Sequence, residues 1–154
     1  MARKKSAGYS NIRFLQSDAL TYESRATYDL VCCSLALHHF SDHDAAVLLR
    51  RCHELSHRFV LVTDLERNTA TTLGVWAVTQ FIYTDPMTRY DGRLSAQRAF
   101  SFAEMHGLAE AAGWKNFGHA RFRFCRQALW LDERTLADIP EPALPLNEGL
   151  PCPT

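Results

Sequence analysis

Two short apolar runs on either side of an amphipathic helix constrain this chain more than any other feature. Tyr28-Asp29-Leu30-Val31-Cys32-Cys33-Ser34 and Arg58-Phe59-Val60-Leu61-Val62-Thr63-Asp64 are each of strand length, and each is apolar enough in its middle to predict a strand buried on both faces. Between them, residues 42–56 set Ala45, Leu48, Leu49, Cys52 and Leu55 on one helical stripe, with Ser41 as N-cap and Asp44 at the capping-box position. Strand, helix, strand in that order predicts a right-handed parallel crossover, and with it an α/β domain whose sheet is largely parallel.

The flanking segments extend the pattern. Ile12-Arg13-Phe14-Leu15-Gln16 predicts an earlier strand, ending at Ser17-Asp18. Residues 69–83 predict a helix that is apolar nearly all round, at Leu73, Val75, Trp76, Ala77, Val78, Phe81 and Ile82. Such a helix is expected to be buried on more than one side, as a lid over a pocket or a subunit contact. A polar loop is expected at 84–92. Ser101-Phe102-Ala103-Glu104 is a capping box that opens a helix through Met105, Leu108, Ala109 and Ala112, stopped by Gly113. Runs 116–124 and 126–132 alternate aromatic and apolar residues (Phe117, Phe122, Phe124, Leu129, Leu131) and are expected to pair as an antiparallel edge. Five of the six prolines follow residue 139, which predicts an irregular tail over 133–154. With a flexible 1–10, the folded domain is expected at 11–132.

Composition narrows the function. The 154 residues suffice for one domain, and 17 Lys+Arg balance 17 Asp+Glu, which argues against a nucleic-acid or anionic-membrane partner held by bulk charge. No apolar run reaches the roughly 18 residues of a membrane span, and the basic start is not followed by a signal-type apolar core. The five cysteines are odd in number and form no CxxC pair, so reduced thiols in a cytoplasmic setting are expected, not a disulfide framework or a zinc knuckle. The expected partner is a small molecule.

In an open parallel sheet the ligand lies beyond the carboxyl ends of the strands. Those ends carry Asp18, Ser34 with the Leu35-Ala36-Leu37-His38-His39-Phe40 loop, and Asp64. A strand-end acid suits a sugar hydroxyl or an exocyclic amine, although Asp18 equally suits the start of a turn. Five of the seven histidines fall between 38 and 57. His39 with His43, or His53 with His57, has metal-ligand spacing, but the two pairs sit at opposite ends of the helix, so no metal site is assigned. A neutral imidazole at His38 or His39 suits proton abstraction near pH 7. Cys32 and Cys33 read as buried, inert strand residues. Arg89-Tyr90-Asp91-Gly92 is either a turn or a substrate-facing lid.

The segments 12–19, 28–40 and 59–64, with Arg50-Arg51-Cys52 between the last two, resemble the later motifs of class I S-adenosylmethionine-dependent methyltransferases, nearest the ubiquinone and menaquinone small-molecule group. Residues 85–124 look like members acting on aromatic or polyketide-type products. The resemblance implies a partial Rossmann-like sheet holding strands 3, 4, 5, 6 and 7 of the family order, with an added helical lid segment, and S-adenosylmethionine as cofactor. Asp18 and Ala19 match the acid and small residue beside the adenine. Ser34 and Leu35 match the loop at the methionine end of the cofactor. His38 falls where members present a polar group to the substrate and is the candidate base, with His39, Arg89 and Tyr90 as candidate substrate contacts.

One departure stands out. The family opens with a strand and a GxGxG turn, where the backbone must approach the cofactor and adopt positive φ. The seven glycines here are nowhere closer than five positions, so that motif is absent. Only nine residues separate Asp18 from Tyr28, which assigns Asp18 to the third family strand. The expected consequence is a sheet of order 3-2-1-4-5-7-6 that lacks strands 1 and 2, with an apolar edge left on the central strand. Three readings follow: an incomplete methyltransferase, an enzyme completed by a partner chain or a second copy of itself, or a silent binding or assembly module. A metal-dependent hydrolase is the alternative from another class.

Overall fold

The computed structural model describes residues 8–81, 84–123 and 125–133. Strand β1 (Tyr28–Ser34) leads through a 3₁₀ turn (Leu37–His39) into helix α1 (Asp42–Leu55), which returns to β2 (Ser56–Leu65). β1 and β2 pair in parallel, with Val31 beside Val60 and Cys33 beside Val62. The hydroxyl of Ser41 accepts from the N–H of Asp44 at 3.1 Å and fixes the start of α1. Helices α2 (Thr69–Phe81), α3 (Pro86–Arg98) and α4 (Phe102–Ala111) follow, then the hairpin of β3 (Gly118–Phe122) and β4 (Arg126–Asp132). β4 runs antiparallel to both β2 and β3, so the sheet order is β1-β2-β4-β3, matching the 4-5-7-6 half of the expected order.

One face of this sheet carries the core. Val60, Val62, Leu129 and Leu131 meet Ala45, Leu48, Leu49 and Cys52 of α1 and Met105, Leu108 and Ala109 of α4. The indole N–H of Trp114, just past α4, donates to the carbonyl of Leu49 at 3.2 Å and ties the two helices together. The capping box of α4 forms as expected: the Ser101 hydroxyl accepts from the Glu104 N–H, and the Glu104 carboxylate accepts from the Ser101 N–H at 2.7 Å. Gly113, at φ +87, ends the helix by donating to the Glu110 carbonyl while Trp114 donates to that of Ala109. No helix among the described residues is long and apolar enough to cross a membrane.

Four expectations are corrected. Residues 12–16 form no strand; Ile12, Phe14 and Leu15 are exposed, because among the described residues no strand flanks β1 to pair with them. β1 and β2 are not buried on both faces, since α1 and α4 cover one side only; Leu30 is 54% exposed and Cys32 is exposed. The segment expected as a polar loop at 84–92 is the first half of α3. Asp85 caps it by accepting from the Thr88 N–H and hydroxyl, both at 2.7 Å, and Pro86 supplies the preset φ of a first helical residue. Finally, α2 is not buried all round. It buries Thr71 and Thr79 and turns Leu73, Trp76 and Phe81 outward, with Phe81 79% exposed. All but the first residue of the tail expected over 133–154, residues 1–7 of the expected flexible 1–10 and the last two positions of the 69–83 helix lie outside the described residues.

Candidate functional site

Parallel pairing brings the carboxyl ends of β1 and β2 to the same side of the sheet, where the chain leaves β1 through a strained turn. Leu35 adopts φ +52 and donates its N–H to the carbonyl of Thr63 at 2.8 Å, while the Thr63 hydroxyl donates to that of Ser34 at 3.0 Å. Buried Leu37 anchors the 3₁₀ turn in the core. That anchor swings His38 back over the end of β2, where Asp64 waits.

Asp64 is 1% exposed, and its carboxylate is fully engaged. One oxygen accepts from the His38 N–H at 3.0 Å; the other faces His38 Nδ1 at 2.6 Å and accepts from the Leu65 N–H at 2.7 Å. A buried carboxylate needs such donors to offset the loss of water. Because Nδ1 faces the carboxylate, the tautomer that fits carries its proton on Nδ1 and presents the lone pair on Nε2. The ring of His39 lies 4.1 Å from that of His38. Both line a polar cleft of about 320 Å³ together with Ser41, Arg67, Arg98 and Glu104. Glu104 is pulled below the usual carboxylate range, first by the Ser101 N–H it accepts and further by Arg67, whose guanidinium grips it at 2.5 and 2.7 Å.

A second, larger cleft of about 510 Å³ lies along β1 and α1. Its walls include Ala19, Tyr22, Cys33, Ser34, Phe40 and Arg51. Burial pushes the Cys33 thiol up to about 11, with the Asp64 charge adding to the effect, so this wall is a neutral thiol at physiological pH. Of the residues singled out from sequence, the structure brings Ala19 and Ser34 together here and His38 with His39 in the polar cleft. Asp18 sits beside the larger cleft, its carboxylate accepting from the Leu20 N–H at 2.9 Å in a turn. Leu35 lines neither cleft. Arg89 and Tyr90 are on α3 and line neither cleft; the Arg89 guanidinium donates to the carbonyl of Gln80 at 3.0 Å and Tyr90 is exposed. Sequence reasoning marked Asp64 as a strand-end acid and missed its pairing with His38, as well as Arg67, Arg98 and Glu104 on the cleft wall. His53 pairs with Glu133 at 2.7 Å and His57 with Asp29 at 3.4 Å. Among the described residues no three His, Cys, Asp or Glu side chains converge as a metal site.

Comparison with known proteins places this geometry. A family profile described as "Methyltransferase domain" matches residues 1–57. No curated protein matches the sequence significantly. Among solved structures, the plantazolicin methyltransferase BpumL in complex with a pentazolic desmethylPZN analogue and S-adenosylhomocysteine is similar at 13% identity and TM-score 0.62, over 84% of this chain and 63% of that one. Human N-acetylserotonin methyltransferase, in complex with S-adenosylmethionine, is similar at 15% identity and TM-score 0.54, over 86% and 38%. Magnesium protoporphyrin IX methyltransferase from Synechocystis, with bound S-adenosylhomocysteine, is similar at 17% identity and TM-score 0.51, over 84% and 55%. The chain thus spans less than two thirds of the length of each of these structures. The class is defined by its architecture: this is the fold of the S-adenosylmethionine-dependent methyltransferases. The stretch similar to the methyltransferase-domain profile, residues 1–57, takes in β1, the 3₁₀ turn, α1 and the start of β2.

Proposed function

We propose that the chain takes part in methyl transfer from S-adenosylmethionine to a small, aromatic or quinone-like acceptor, with His38 as the base. The observation that carries this reading is the buried His38–Asp64 pair at the carboxyl end of the parallel strands. The larger cleft fits part of the cofactor. Apolar walls at Leu15, Phe40 and Leu48 suit a purine, the hydroxyls of Ser17 and Ser34 suit its polar groups, and Ala19 leaves room beside them. The glycine turn that would cradle the rest is absent, so Ala19 and Ser34, with Asp18 and Leu35 flanking them, are proposed contacts for the part nearest β1. When bound, the cofactor supplies an electrophilic methyl group.

The chain's own residues handle the proton. His38 Nε2 takes it from the acceptor's nucleophilic atom, and the positive charge that develops on the ring is stabilised by Asp64 through Nδ1. Asp64 is therefore a positioning residue: it fixes the tautomer and holds the ring. His39 contacts the acceptor across the same cleft, and Arg89 and Tyr90, about two to three turns along α3 from the cleft-lining Arg98, are proposed contacts for the outer part of the acceptor. The outer edge of β1, with Leu30 and Cys32 exposed, favours a second reading in which a further strand, from a partner chain or a second copy, completes the cofactor site.

Calorimetry with S-adenosylhomocysteine, paired with a methyl-transfer assay on small phenolic acceptors, tests the proposal. His38→Ala is expected to leave cofactor affinity unchanged and to lower turnover by about a hundredfold or more. Unchanged turnover removes His38 as the base. Ser34→Trp is expected to abolish S-adenosylhomocysteine binding, and unchanged binding sinks the cleft assignment.

A further inference from the structure

Beneath the α2–α3 hairpin lies a cavity of about 470 Å³ that the methyl-transfer reading does not use. Its size is within the range of small-molecule sites. Leu65, Val75, Val78 and Cys125 form its walls, Gly74 opens onto it and Asp91 stands at its edge. The cavity exists because the two helices touch at one point and gape at another. A Cβ built on Gly92 of α3 would meet Thr79 Cγ2 of α2 at 3.3 Å, so the backbones close there to a distance only glycine permits comfortably. At Gly74, roughly 7 Å farther along α2 at 1.5 Å per residue, an added Cβ meets nothing within 4 Å.

The threonine hydroxyls on the wall are already engaged. Thr71 donates to the Glu66 carbonyl at 2.6 Å, Thr79 to the Trp76 carbonyl at 3.0 Å and Thr88 to Asp85 at 2.7 Å. With Ser95 the further hydroxyl on the wall, the cavity offers too few partners for a sugar or another many-hydroxyl ligand, most of whose polar groups would be buried unpaired. Asp91 differs. It is exposed and forms no ion pair among the described residues. The neighbouring cation Arg93 is held instead by the Thr79 hydroxyl at 3.0 Å and the Gln80 side-chain carbonyl at 2.9 Å. An apolar chamber with one uncompensated carboxylate at its edge is complementary to an apolar body carrying one positive charge.

We propose that this cavity is a binding site for a small apolar amine, with the hydrocarbon or aromatic part between α2 and α3 and the ammonium beside Asp91. The site shares no residue with the His38 cleft, so it stands or falls independently of the methyl-transfer reading.

Calorimetry of the full chain with naphthylethylamine and its neutral counterpart naphthylethanol separates shape from charge. Both are expected to bind, the amine about fivefold more tightly, as befits an exposed ion pair, with the difference closing in molar salt. Asp91→Asn is expected to erase the preference and leave naphthylethanol affinity unchanged. Gly74→Leu is expected to abolish binding of both probes without lowering the melting temperature, since leucine is the better helix former and the space is open. Val78→Phe, filling the chamber from another wall, gives the same answer if Gly74→Leu alters the fold. Failure of both probes to bind at millimolar concentration overturns the site, as does unchanged binding in both filled variants. An amine preference that survives Asp91→Asn, or is absent from the natural chain, overturns the assigned ligand class.

Discussion

The α1–β2–α4 layer and the α2 half of the α2–α3 hairpin are both built from apolar sequence and treat it in opposite ways. In the first, Leu48, Leu49, Val60, Val62, Met105 and Leu108 converge on one side of a sheet and leave the solvent face to Arg50 and Glu54. In the second, Gly92 of α3 closes on Thr79 and Val75 of α2 and the buried side chains are those of Thr71, Thr79 and Ala96, while Leu73, Trp76 and Phe81 face outward. Burial follows from what an element is pressed against, and hydrophobicity decides only how much stability that burial yields. A helix that packs through small and hydroxyl residues can approach its partner closely and leave its bulky residues on the surface.

Substitutions that should have opposite outcomes in the two regions probe this contrast. Leu49→Ala removes a fully buried side chain at the centre of the first region and is expected to cost about 3 kcal/mol by denaturant unfolding. A cost below about 1 kcal/mol would mean that this layer is not the rigid half. Asp64→Asn replaces an acceptor of three hydrogen bonds with a group that retains one acceptor oxygen, and about 2 kcal/mol of stability should be lost. In the hairpin, Thr79→Val keeps the shape but removes the hydroxyl that bonds Trp76 and Arg93, with an expected cost of about 1 kcal/mol. Leu73→Ser and Trp76→Ser, on its outer face, should stay within about 0.5 kcal/mol of the natural chain. A loss as large as that of Leu49→Ala would show that the outer face is covered in solution.

The smallest expected effect is one of pH, at the far edge of the first region. His119 is partly buried, stacked 3.7 Å above Phe102, and its Nε2–H donates to the Gln127 side-chain carbonyl at 3.2 Å. Burial holds its pKa below the ordinary imidazole value of 6.5, helped by the nearby His106 and Arg121 and opposed by Gln127 and Glu66. Folding therefore favours the neutral ring. The contribution to stability is complete above about pH 6.5 and declines as the pH falls through the lower folded value. Thermal melts between pH 7.5 and 5 should show a modest decline that His119→Gln removes; an equal decline in the variant would place the titrating group elsewhere.

Much of the first region was legible because its signals are local. The stripe of α1, its N-cap Ser41, the capping box of α4 and Gly113 each depend on neighbours within a turn, and parallel pairing of 28–34 with 56–65 follows from the intervening helix. The hairpin was read less well. The Asp85-Pro86 start of α3 is also a local signal, but it was masked by Gly92 and by a run of polar residues that resembles a loop. The inside-out packing of α2 could not be read from composition, since it depends on Gly92 lying opposite Thr79 across a contact that no spacing rule specifies. Residues 12–16 have a strand-like composition, and a strand requires a partner as well as a composition. At the candidate site, His38 and Asp64 were each visible at a strand end; their pairing across 26 positions rests on Leu37 docking into the core.

The indole of Trp114, clamped to the Leu49 carbonyl, also gives the molecule an internal optical label. Trp114 is 3% exposed and Trp76 is 50% exposed, so one should emit toward the blue and the other toward the red. With the third tryptophan, the partly buried Trp130 of β4, replaced by Phe, the two report the packed layer and the hairpin as separate components. If the hairpin loosened first, the red component would change while the blue one kept its position and its protection from iodide.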